Sequence, residues 1–280
     1  MKRRKFLKTS AAGATAAMLM PSMACSPKDA DTGLILYTVR DEMSANPEST
    51  LDRIAEIGYN WLEAAGYSEG RFYGHKPADF RKMIESRSMQ LVSSHSGLNK
   101  ENVDEVVGAS AEAGLKYVVI PSLPHNMINS IDALKKTSEF MNMAGDKCRQ
   151  NGIKLGFHNH TVEFAEVEGK KPYDVMIENT DPELVVFQLD LAWITASGND
   201  PVEYFNRYPG RFELWHVKDL SEDKKDATLG EGTMDFAPIF AAAGKAGMKY
   251  FFVEQDHSRT RKPMENIEIS RNFLLENNLV

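Results

Sequence analysis

The sequence contains few cysteines and no long apolar segment. Two cysteines in 280 residues do not provide a disulfide framework. No run of about 18 or more apolar residues occurs, so we predict no membrane-spanning helix. The chain is 42% hydrophobic and 26% charged, which is typical of a folded globular protein and not of a disordered one. These values predict one large domain or two small ones.

The sequence also has no excess of positive charge. The chain has 33 Lys and Arg residues against 40 Asp and Glu residues, which gives a net charge of −7 at pH 7. Proteins that follow a phosphate backbone need clustered basic residues. We therefore expect no nucleic acid among the partners of this protein.

The first 24 residues have the order of an export signal. Residues 2–8 form a basic run, residues 11–20 form an apolar run too short to span a membrane, and residues 21–24 are mostly small. The pair Arg3-Arg4, followed closely by the letters FLK, resembles a twin-arginine signal, whose pathway exports folded proteins. The alternative is a basic N-terminal arm with a buried helix.

A cysteine, Cys25, follows this segment directly. Cleavage before Cys25 would leave an N-terminal cysteine that can carry a lipid anchor, although Ser22 stands where lipoprotein signals usually have a larger apolar residue. A membrane-anchored lipoprotein and a protein released into the periplasm are both compatible with this pattern. We divide the chain into an export signal (1–24), a linker (25–32) and one domain (33–280).

From Leu34 onward, short β-branched or apolar runs alternate with longer amphipathic runs. Eight such units can be counted, with Gly, Pro or Asn at the boundaries. The predicted strands are 34–39, 61–64, 90–94, 117–120, 154–157, 184–189, 213–217 and 250–253. The predicted helices are 47–57, 77–87, 101–113, 131–150, 172–179, 201–206, 236–246 and 263–276.

Eight strand–helix units predict an α/β fold, a single-domain (β/α)8 TIM barrel. Residues 33–280 give 31 residues per unit, which is the size of such a barrel. A doubly wound open sheet is the alternative. It would need a glycine-rich nucleotide fingerprint after its first strand, and residues 40–43 (RDEM) contain no glycine.

Polar side chains stand at the ends of the predicted strands. In a closed parallel barrel, the loops that follow the strands open on one face, so these residues converge there. Several carboxylates and imidazoles at one rim are costly to bury without a ligand. A divalent cation would satisfy them, and oxygen and imidazole donors without thiolate suit manganese, cobalt, magnesium or zinc. The residues are Tyr37, Arg40, Glu63, His95, His158, His160, Glu163, Asp190, His216, Lys218, Asp219, Glu254 and Asp256.

Four segments of the chain resemble one known family. They are residues 186–193 (VFQLDLAW), 214–219 (LWHVKD), 229–232 (LGEG) and 252–256 (FVEQD). In this order and at this spacing they are similar to the xylose isomerase-like barrel superfamily of sugar (phosphate) isomerases and epimerases. The similarity extends over residues 33–280 and implies one divalent metal ion.

In that superfamily the metal is held by a Glu after strand five, an Asp after strand six, a His after strand seven and a Glu after strand eight. The two glutamates transfer the substrate proton. The resemblance places the last three ligands on Asp190, His216 and Glu254. It implies that Glu254 is also a catalytic residue.

Strand five departs from the family pattern. The segment GFHNH puts His158 where many relatives have the strand-end glutamate, and the nearest carboxylate is Glu163. We favour Glu163 as the fourth metal ligand and as a catalytic residue, because a second carboxylate restores the acid–base pair. His158 is the alternative ligand and a further catalytic candidate. If His158 binds the metal, the two-glutamate mechanism is in doubt.

Seven residues at or near the rim are predicted to contact a substrate. Each also has a purely structural explanation, because a lone histidine is often a hydrogen-bonded scaffold group and an aromatic ring is often core. Likewise, Asp190 can cap the segment after its strand, and Glu254 can pair with Lys218. The seven are Tyr37, Arg40, Glu63, His95, His160, Trp193 and Lys218.

This set of residues predicts a metal-dependent sugar isomerase or epimerase that removes a proton next to a carbonyl. Phosphorylated sugars are kept in the cytoplasm, so an exported enzyme should act on a non-phosphorylated sugar. The alternative is a lyase or hydrolase of 3-keto-glycosides, in which the same proton removal expels the glycosidic group. A non-catalytic carbohydrate-binding lipoprotein and a zinc nuclease of this barrel type are less favoured, the nuclease because of the acidic charge.

Export through the twin-arginine pathway can be tested directly. Replacing Arg3-Arg4 by Lys-Lys should abolish export, because the pathway reads the arginine pair. Cell fractionation and immunodetection of the full chain measure the outcome, with a Lys2→Arg variant as the control. Unchanged export of the Lys-Lys variant would contradict the twin-arginine prediction.

Overall fold

A computed structural model describes residues 31–257 and 261–280. The predicted export signal and Cys25 lie outside the described residues. Within the described part of the chain, no helix has the length and apolar character needed to cross a membrane.

Eight parallel strands close into a barrel, as the sequence predicts. In the order around the barrel, β1 is followed by β8, β7, β6, β5, β4, β3 and β2, which pairs again with β1. Each strand therefore pairs with its neighbours in sequence, and the first and last strands close the ring. The strands are Gly33–Ile35 (β1), Trp61–Ala64 (β2), Gln90–His95 (β3), Tyr117–Ile120 (β4), Lys154–His158 (β5), Val185–Asp190 (β6), Leu214–Val217 (β7) and Tyr250–Val253 (β8).

Helices surround the barrel on its outside. Proline occupies the first turn of five of them, where its missing N–H costs nothing. The α-helices are Arg40–Ala45 (α1), Pro47–Ile57 (α2), Pro77–Glu85 (α3), Val103–Glu112 (α4), Ile131–Gln150 (α5), Pro172–Asn179 (α6), Leu191–Ala196 (α7), Pro201–Arg207 (α8), Phe236–Ala241 (α9), Ala243–Ala246 (α10) and Pro263–Glu276 (α11).

The first unit differs from the prediction. The predicted strand 34–39 ends at Ile35, and Leu36–Val39 form a 3-10 helix that leads into α1. The β-branched residues of this segment favour a strand locally. Tertiary contacts decide otherwise, because Leu36 and Val39 pack in the main hydrophobic core and the Thr38 hydroxyl accepts a hydrogen bond from the Gln255 amide at 3.1 Å.

Two connections also contain elements that the sequence analysis did not predict. A short antiparallel hairpin, Tyr67–Ser68 with Arg71–Phe72, follows β2, and another, Asp219–Leu220 with Asp226–Ala227, follows β7. The helix α7 begins directly after β6, with the Asp190 carboxylate accepting a hydrogen bond from the Trp193 amide at 2.8 Å. These elements matter for the site because they lie at the carboxyl ends of the strands.

The barrel interior is filled by its own small apolar cluster. This inner cluster is separate from the larger core between strands and helices. Interior space is limited, since a Cβ at Gly156 would lie 3.0 Å from a Val119 methyl group. The barrel is therefore a packed core with an open rim and not a pore. The inner cluster is Ile35, Val92, Tyr117, Val119, Val186, Leu214 and Phe252.

The amino-terminal end of the barrel is closed by polar contacts around Glu213, the residue before β7. Its buried carboxylate accepts hydrogen bonds from the Tyr117 hydroxyl and the Lys154 ammonium, both at 2.7 Å, and lies 3.0 Å from Lys249 Nζ. Burial raises the pKa of Glu213, but these partners outweigh it and hold the pKa below its ordinary value. The cluster therefore stabilises the fold through a charged carboxylate.

A Glu213→Gln variant should lower the free energy of unfolding by about 1–3 kcal/mol at neutral pH, since it removes hydrogen bonds to a charged group. The depressed pKa means that this contribution is complete above the ordinary pKa of 4.5 and is lost as the pH falls through the folded-state pKa. Urea unfolding at several pH values measures both effects, with Glu203→Gln as an exposed control. Equal stability of the two variants at pH 7 would contradict the stabilising role.

Candidate active site

The carboxyl ends of the strands bring imidazoles and carboxylates together at one rim. Strand register sets the neighbours, because Asp190 of β6 stands opposite His216 of β7, and His158 of β5 stands opposite Gln188 of β6. Glu254 directly follows β8, where its amide donates a hydrogen bond to the Val217 carbonyl. Residues far apart in sequence thus become neighbours through pairing alone.

Four of these side chains form one compact cluster. His158, Asp190, His216 and Glu254 each offer a nitrogen or oxygen atom, and the four atoms lie within 4.8 Å of one another. All four residues are buried, and His216 and Asp190 have no exposed surface. We refer to these four residues as the rim cluster.

The rim cluster has the properties of a divalent metal site. Within the described residues, the buried atom His158 Nδ1 has no hydrogen-bond partner, and Asp190 Oδ2 has an ion-pair contact with Lys218 Nζ at 3.3 Å but no hydrogen bond. Buried polar atoms are normally paired, so the free nitrogen of His158 is available to a ligand. Two imidazoles and two carboxylates without thiolate are a donor set for zinc, manganese or cobalt. The residues present therefore fit a divalent ion.

The structure does not bring Glu163 into the rim cluster, contrary to the favoured prediction. Glu163 lies in a 3-10 turn, Val162–Phe164, and its carboxylate accepts a hydrogen bond from the His160 amide at 2.8 Å. The side chain is buried, and this burial raises its pKa. The strand-five member of the cluster is the alternative residue, His158, because it ends β5 itself.

Glu63, which the sequence analysis predicted as a substrate contact, is completely buried and lies against His216. One carboxylate oxygen is 2.6 Å from His216 Nε2, and the other accepts hydrogen bonds from Ser93 at 2.6 Å and Gln188 at 2.8 Å. A carboxylate that binds the second nitrogen of a ligating histidine fixes the ring orientation and its tautomer. Glu63 is therefore a positioning residue for His216.

His216 lies between two carboxylates. Its Nδ1 is 2.8 Å from Glu254, and its Nε2 is held by Glu63. Burial lowers the pKa of His216, but Glu254 and Glu63 outweigh burial and raise the pKa to about 10. Without a metal ion, His216 is thus a buried cation. Both ring nitrogens of His216 therefore have a carboxylate partner.

His95 forms a second, overlapping group with His158 and His216. Its ring lies 5.1 Å from the His216 ring in a stacked arrangement, and its Nε2 is 2.7 Å from the Gln188 amide oxygen. Burial lowers the pKa of both His95 and His158. Two neutral imidazoles therefore stand beside the charged His216.

Lys218 is a buried ammonium next to the rim cluster. Its Nζ is 2.9 Å from Glu254, 3.3 Å from Asp190 and 2.6 Å from Asp256. Burial lowers the pKa of Lys218, but these three carboxylates raise it well above the usual value. The same ammonium, together with His216, holds the pKa of Glu254 well below its usual value against the effect of burial.

A cavity of about 490 Å³ opens beside the rim cluster. His158 and Glu254 belong to both the cluster and the cavity wall. His160 also lines the cavity, its ring 6.3 Å from the Trp193 ring, and burial together with Lys218 lowers its pKa. Among the described residues, the wall contains no arginine or lysine.

The predicted substrate contacts fall into two groups. Tyr37, His95, His160 and Trp193 line this cavity, whereas Glu63, Lys218 and Arg40 do not. The Arg40 guanidinium is directed to backbone, because it donates to the Tyr37 carbonyl at 2.9 Å and to the Asp256 carbonyl at 2.8 Å. Lys218 is held by its three carboxylates. In both cases local partners keep the charged group away from the cavity wall.

Sequence reasoning missed several residues that organise the site. Gln188 and Ser93 bind Glu63, and the Asn159 side chain accepts a hydrogen bond from the Asp190 amide at 3.0 Å. Two of these residues could have been found from the alternation of side chains along a strand. Gln188 lies two positions before Asp190, and Ser93 two before His95, so each shares a face with a rim residue.

A family comparison agrees with this architecture. The model of the family described as xylose isomerase-like TIM barrel matches residues 51–277. The chain belongs to this family. The resemblance inferred from the four sequence segments is thereby confirmed, and an enzyme on this barrel is supported.

Proteins similar to this xylose isomerase-like barrel carry names that indicate different functions. A structure named sugar phosphate isomerase/epimerase from Parabacteroides distasonis has a TM-score of 0.82 and 31% identity, covering 95% of this chain and 99% of that chain. An inosose dehydratase of Geobacillus kaustophilus is 25% identical over 236 residues, which are 69% of this chain and 74% of the relative. The IOLI protein with a bound zinc atom has a TM-score of 0.71 at 15% identity, covering 88% and 97%, and shows the fold alone.

Removing the negative charge of Glu63 should weaken metal binding without altering any residue of the rim cluster. We expect Glu63→Gln to bind zinc about 10–100-fold more weakly than the unaltered protein, because the support of His216 is lost. Competition with a zinc-binding dye measures the affinity, and Glu112→Gln serves as an exposed control. An unchanged affinity in folded Glu63→Gln protein would contradict the positioning role.

Proposed function

We propose that this protein is a divalent-metal-dependent lyase of a cyclic keto-sugar or keto-glycoside. It removes a proton next to the ketone and expels the oxygen substituent on the following carbon. The observation that carries this proposal is the rim cluster itself, in which strand five contributes His158 and not a carboxylate. The dehydratase name of the Geobacillus kaustophilus relative supports the same reaction class.

The composition of the rim cluster argues against a symmetric proton transfer. An isomerase or epimerase with two opposed glutamates uses one to remove the proton and the other to return it. Here Glu254 has no such carboxylate partner from strand five, since Glu163 is bound to the His160 amide. An elimination needs only one base for the carbon-bound proton and an acid for the leaving oxygen.

His160 is suited to both tasks. It lines the cavity, it is outside the rim cluster, and its lowered pKa keeps the imidazole neutral at neutral pH. We propose that His160 takes the proton from the carbon next to the ketone. The electron pair of this C–H bond forms a double bond to the following carbon as the bond from that carbon to oxygen breaks, and the leaving oxygen receives the proton from His160. No net oxidation or reduction takes place.

The rim cluster would hold the metal ion that this reaction needs. A bound divalent ion would polarise the ketone and stabilise the negative charge that develops on its oxygen. His158, Asp190, His216 and Glu254 are the ligands we propose, with zinc, manganese or cobalt favoured over magnesium because two donors are imidazoles. Lys218, together with His216, holds the pKa of Glu254 low, so this carboxylate is ionised and ready to bind a cation.

The composition of the cavity wall supports the proposal that the substrate carries no phosphate. Arginine and lysine are the usual partners of phosphate groups, and neither lines the cavity in the described part of the chain. Trp193 and Tyr37 offer aromatic faces, which pack well against the apolar face of a sugar ring. We also propose that the mature protein acts outside the cytoplasm, on the strength of the N-terminal sequence alone.

A sugar isomerase or epimerase is the second candidate. The specific observation in its favour is the 31% identity to the Parabacteroides distasonis structure of that name. The two reactions share the first step, so the same residues would remove the proton. They differ in whether the oxygen on the next carbon leaves.

Product analysis distinguishes the two candidates. Metal-loaded protein incubated with 2-keto-inositol and with methyl 3-keto-glucoside in deuterated water should release water or methanol and form the unsaturated ketone. His160→Gln should lower kcat by about 100-fold or more, because acid–base assistance contributes about 10²–10⁴-fold. The control is His257→Gln, whose side chain is 77% exposed at the same cavity.

Deuterium incorporation without any elimination would sink the lyase proposal and favour the isomerase. Full activity of protein stripped by a chelator would contradict the metal dependence. Unchanged turnover in His160→Gln would remove His160 from the mechanism while leaving the reaction class in place.

A further inference from the structure

A second cavity adjoins the one at the rim cluster. It has a volume of about 620 Å³ and shares Tyr37 and Ala65 with the first cavity, which measures about 490 Å³. Each volume lies within the range of about 300–1,000 Å³ that ligand sites have. Tyr37 is 40% exposed, although large aromatic side chains are usually well covered in a folded protein. Its ring is thus a shared wall between two ligand-sized spaces.

We propose that this second cavity is a subsite for the leaving group of a glycosidic substrate, and that the leaving group is a second sugar ring. This inference rests on the proposed lyase reaction at the rim cluster. A substrate that loses only water needs room for one ring. A glycoside must also place the ring beyond the glycosidic oxygen, and the second cavity lies across Tyr37 from the reacting centre.

Part of the wall of the second cavity belongs to the connection after β2, which is fixed by its own contacts. The Tyr73 hydroxyl accepts a hydrogen bond from the Ala65 amide at 3.1 Å, which ties the end of the connection to the strand. Gly66 packs directly against this ring, since a Cβ there would lie 2.5 Å from a Tyr73 ring carbon. A neighbouring hairpin residue, Phe72, stacks on Phe80 of α3. The cavity is therefore preformed, which lowers the entropic cost of binding.

The chemistry of the lining suits a hydroxylated ring. The aromatic rings of Tyr37 and Tyr73 offer apolar faces, while Arg40, Ser44 and His75 offer polar groups. The Arg40 guanidinium lies 4.4 Å from the centre of the Tyr37 ring and is bound to two backbone carbonyls, so it holds the ring in place. In the described residues, the lining includes no carboxylate. Aromatic faces flanked by hydrogen-bonding groups are typical of sugar subsites.

A substitution that fills the second cavity tests the proposal. Ser44 is exposed on α1 and lines only the second cavity, and its neighbour Ala45 is exposed but lines neither cavity. With metal-loaded protein, Ser44→Trp should lower kcat/KM for 3-keto-cellobiose about tenfold or more, mainly through KM. The kcat/KM for methyl 3-keto-glucoside should stay within about twofold of the unaltered protein, because the methyl group does not enter the second cavity. Ala45→Trp is the matched control and should change neither value.

A second variant covers the case in which tryptophan disturbs α1. His75→Leu removes a polar group from the part of the second cavity's lining that follows β2 and should also raise KM for the disaccharide alone. If neither variant changes the ratio of kcat/KM between the two substrates, the subsite proposal is overturned. If phenyl 3-keto-glucoside is as good a substrate as the disaccharide and equally sensitive to both variants, the assignment to a sugar ring is overturned.

Failure of the subsite can be told apart from failure of the lyase reaction. If the unaltered protein turns over neither keto-substrate, the lyase proposal fails. The subsite is then tested by calorimetry, which measures the binding of cellobiose and of methyl glucoside, both without the keto group. Weaker binding of cellobiose alone in Ser44→Trp supports the subsite, and equal binding in both proteins overturns it.

Discussion

Compensation of buried charge is the constraint on which the site depends. Glu63, Asp190 and Glu254 are carboxylates with almost no exposed surface, and Lys218 is an equally buried ammonium. An unpaired charge in such a place costs several kcal/mol. The structure avoids that cost by giving each carboxylate a cation or a set of hydrogen-bond donors. His158 Nδ1 remains without a partner, and it belongs to the group of four side chains that one divalent ion could bind.

The partners of the buried charges also hold the side chains of the site in place. Glu63 holds His216 from one side, and Glu254 approaches the same ring from the other. Lys218 links Glu254 to Asp190 and Asp256, so β6, β7 and the segment after β8 are joined by one ammonium. Packing inside the barrel supports this arrangement, because the inner apolar cluster fills the space among the strands. The groups at the rim are therefore held before any ligand arrives, which is how enzymes avoid reorganisation during reaction.

Much of this could be predicted from the sequence. Strand alternation and helix periodicity indicated eight units, and five helix boundaries with proline agree with the structure. Asp190, His216 and Glu254 could be anticipated because the ends of parallel strands meet at one rim. The roles of Glu63, Arg40 and Lys218 could not. A charged residue at a strand end looks the same in the sequence in both cases: when its charged group faces the cavity beside the rim cluster, and when backbone carbonyls or carboxylates hold that group.

The sequence by itself determined the barrel and most of its rim, because hydrophobic periodicity and strand-end positions are local properties that a single chain displays directly. Only the tertiary structure shows that His158, and not Glu163, lies in the rim cluster. The two lie five positions apart, and a 3-10 turn directs the Glu163 carboxylate to the His160 amide while His158 ends the strand that faces the rim cluster. The direction of a side chain in a turn depends on which partner satisfies it. That partner is known only once the chain has folded.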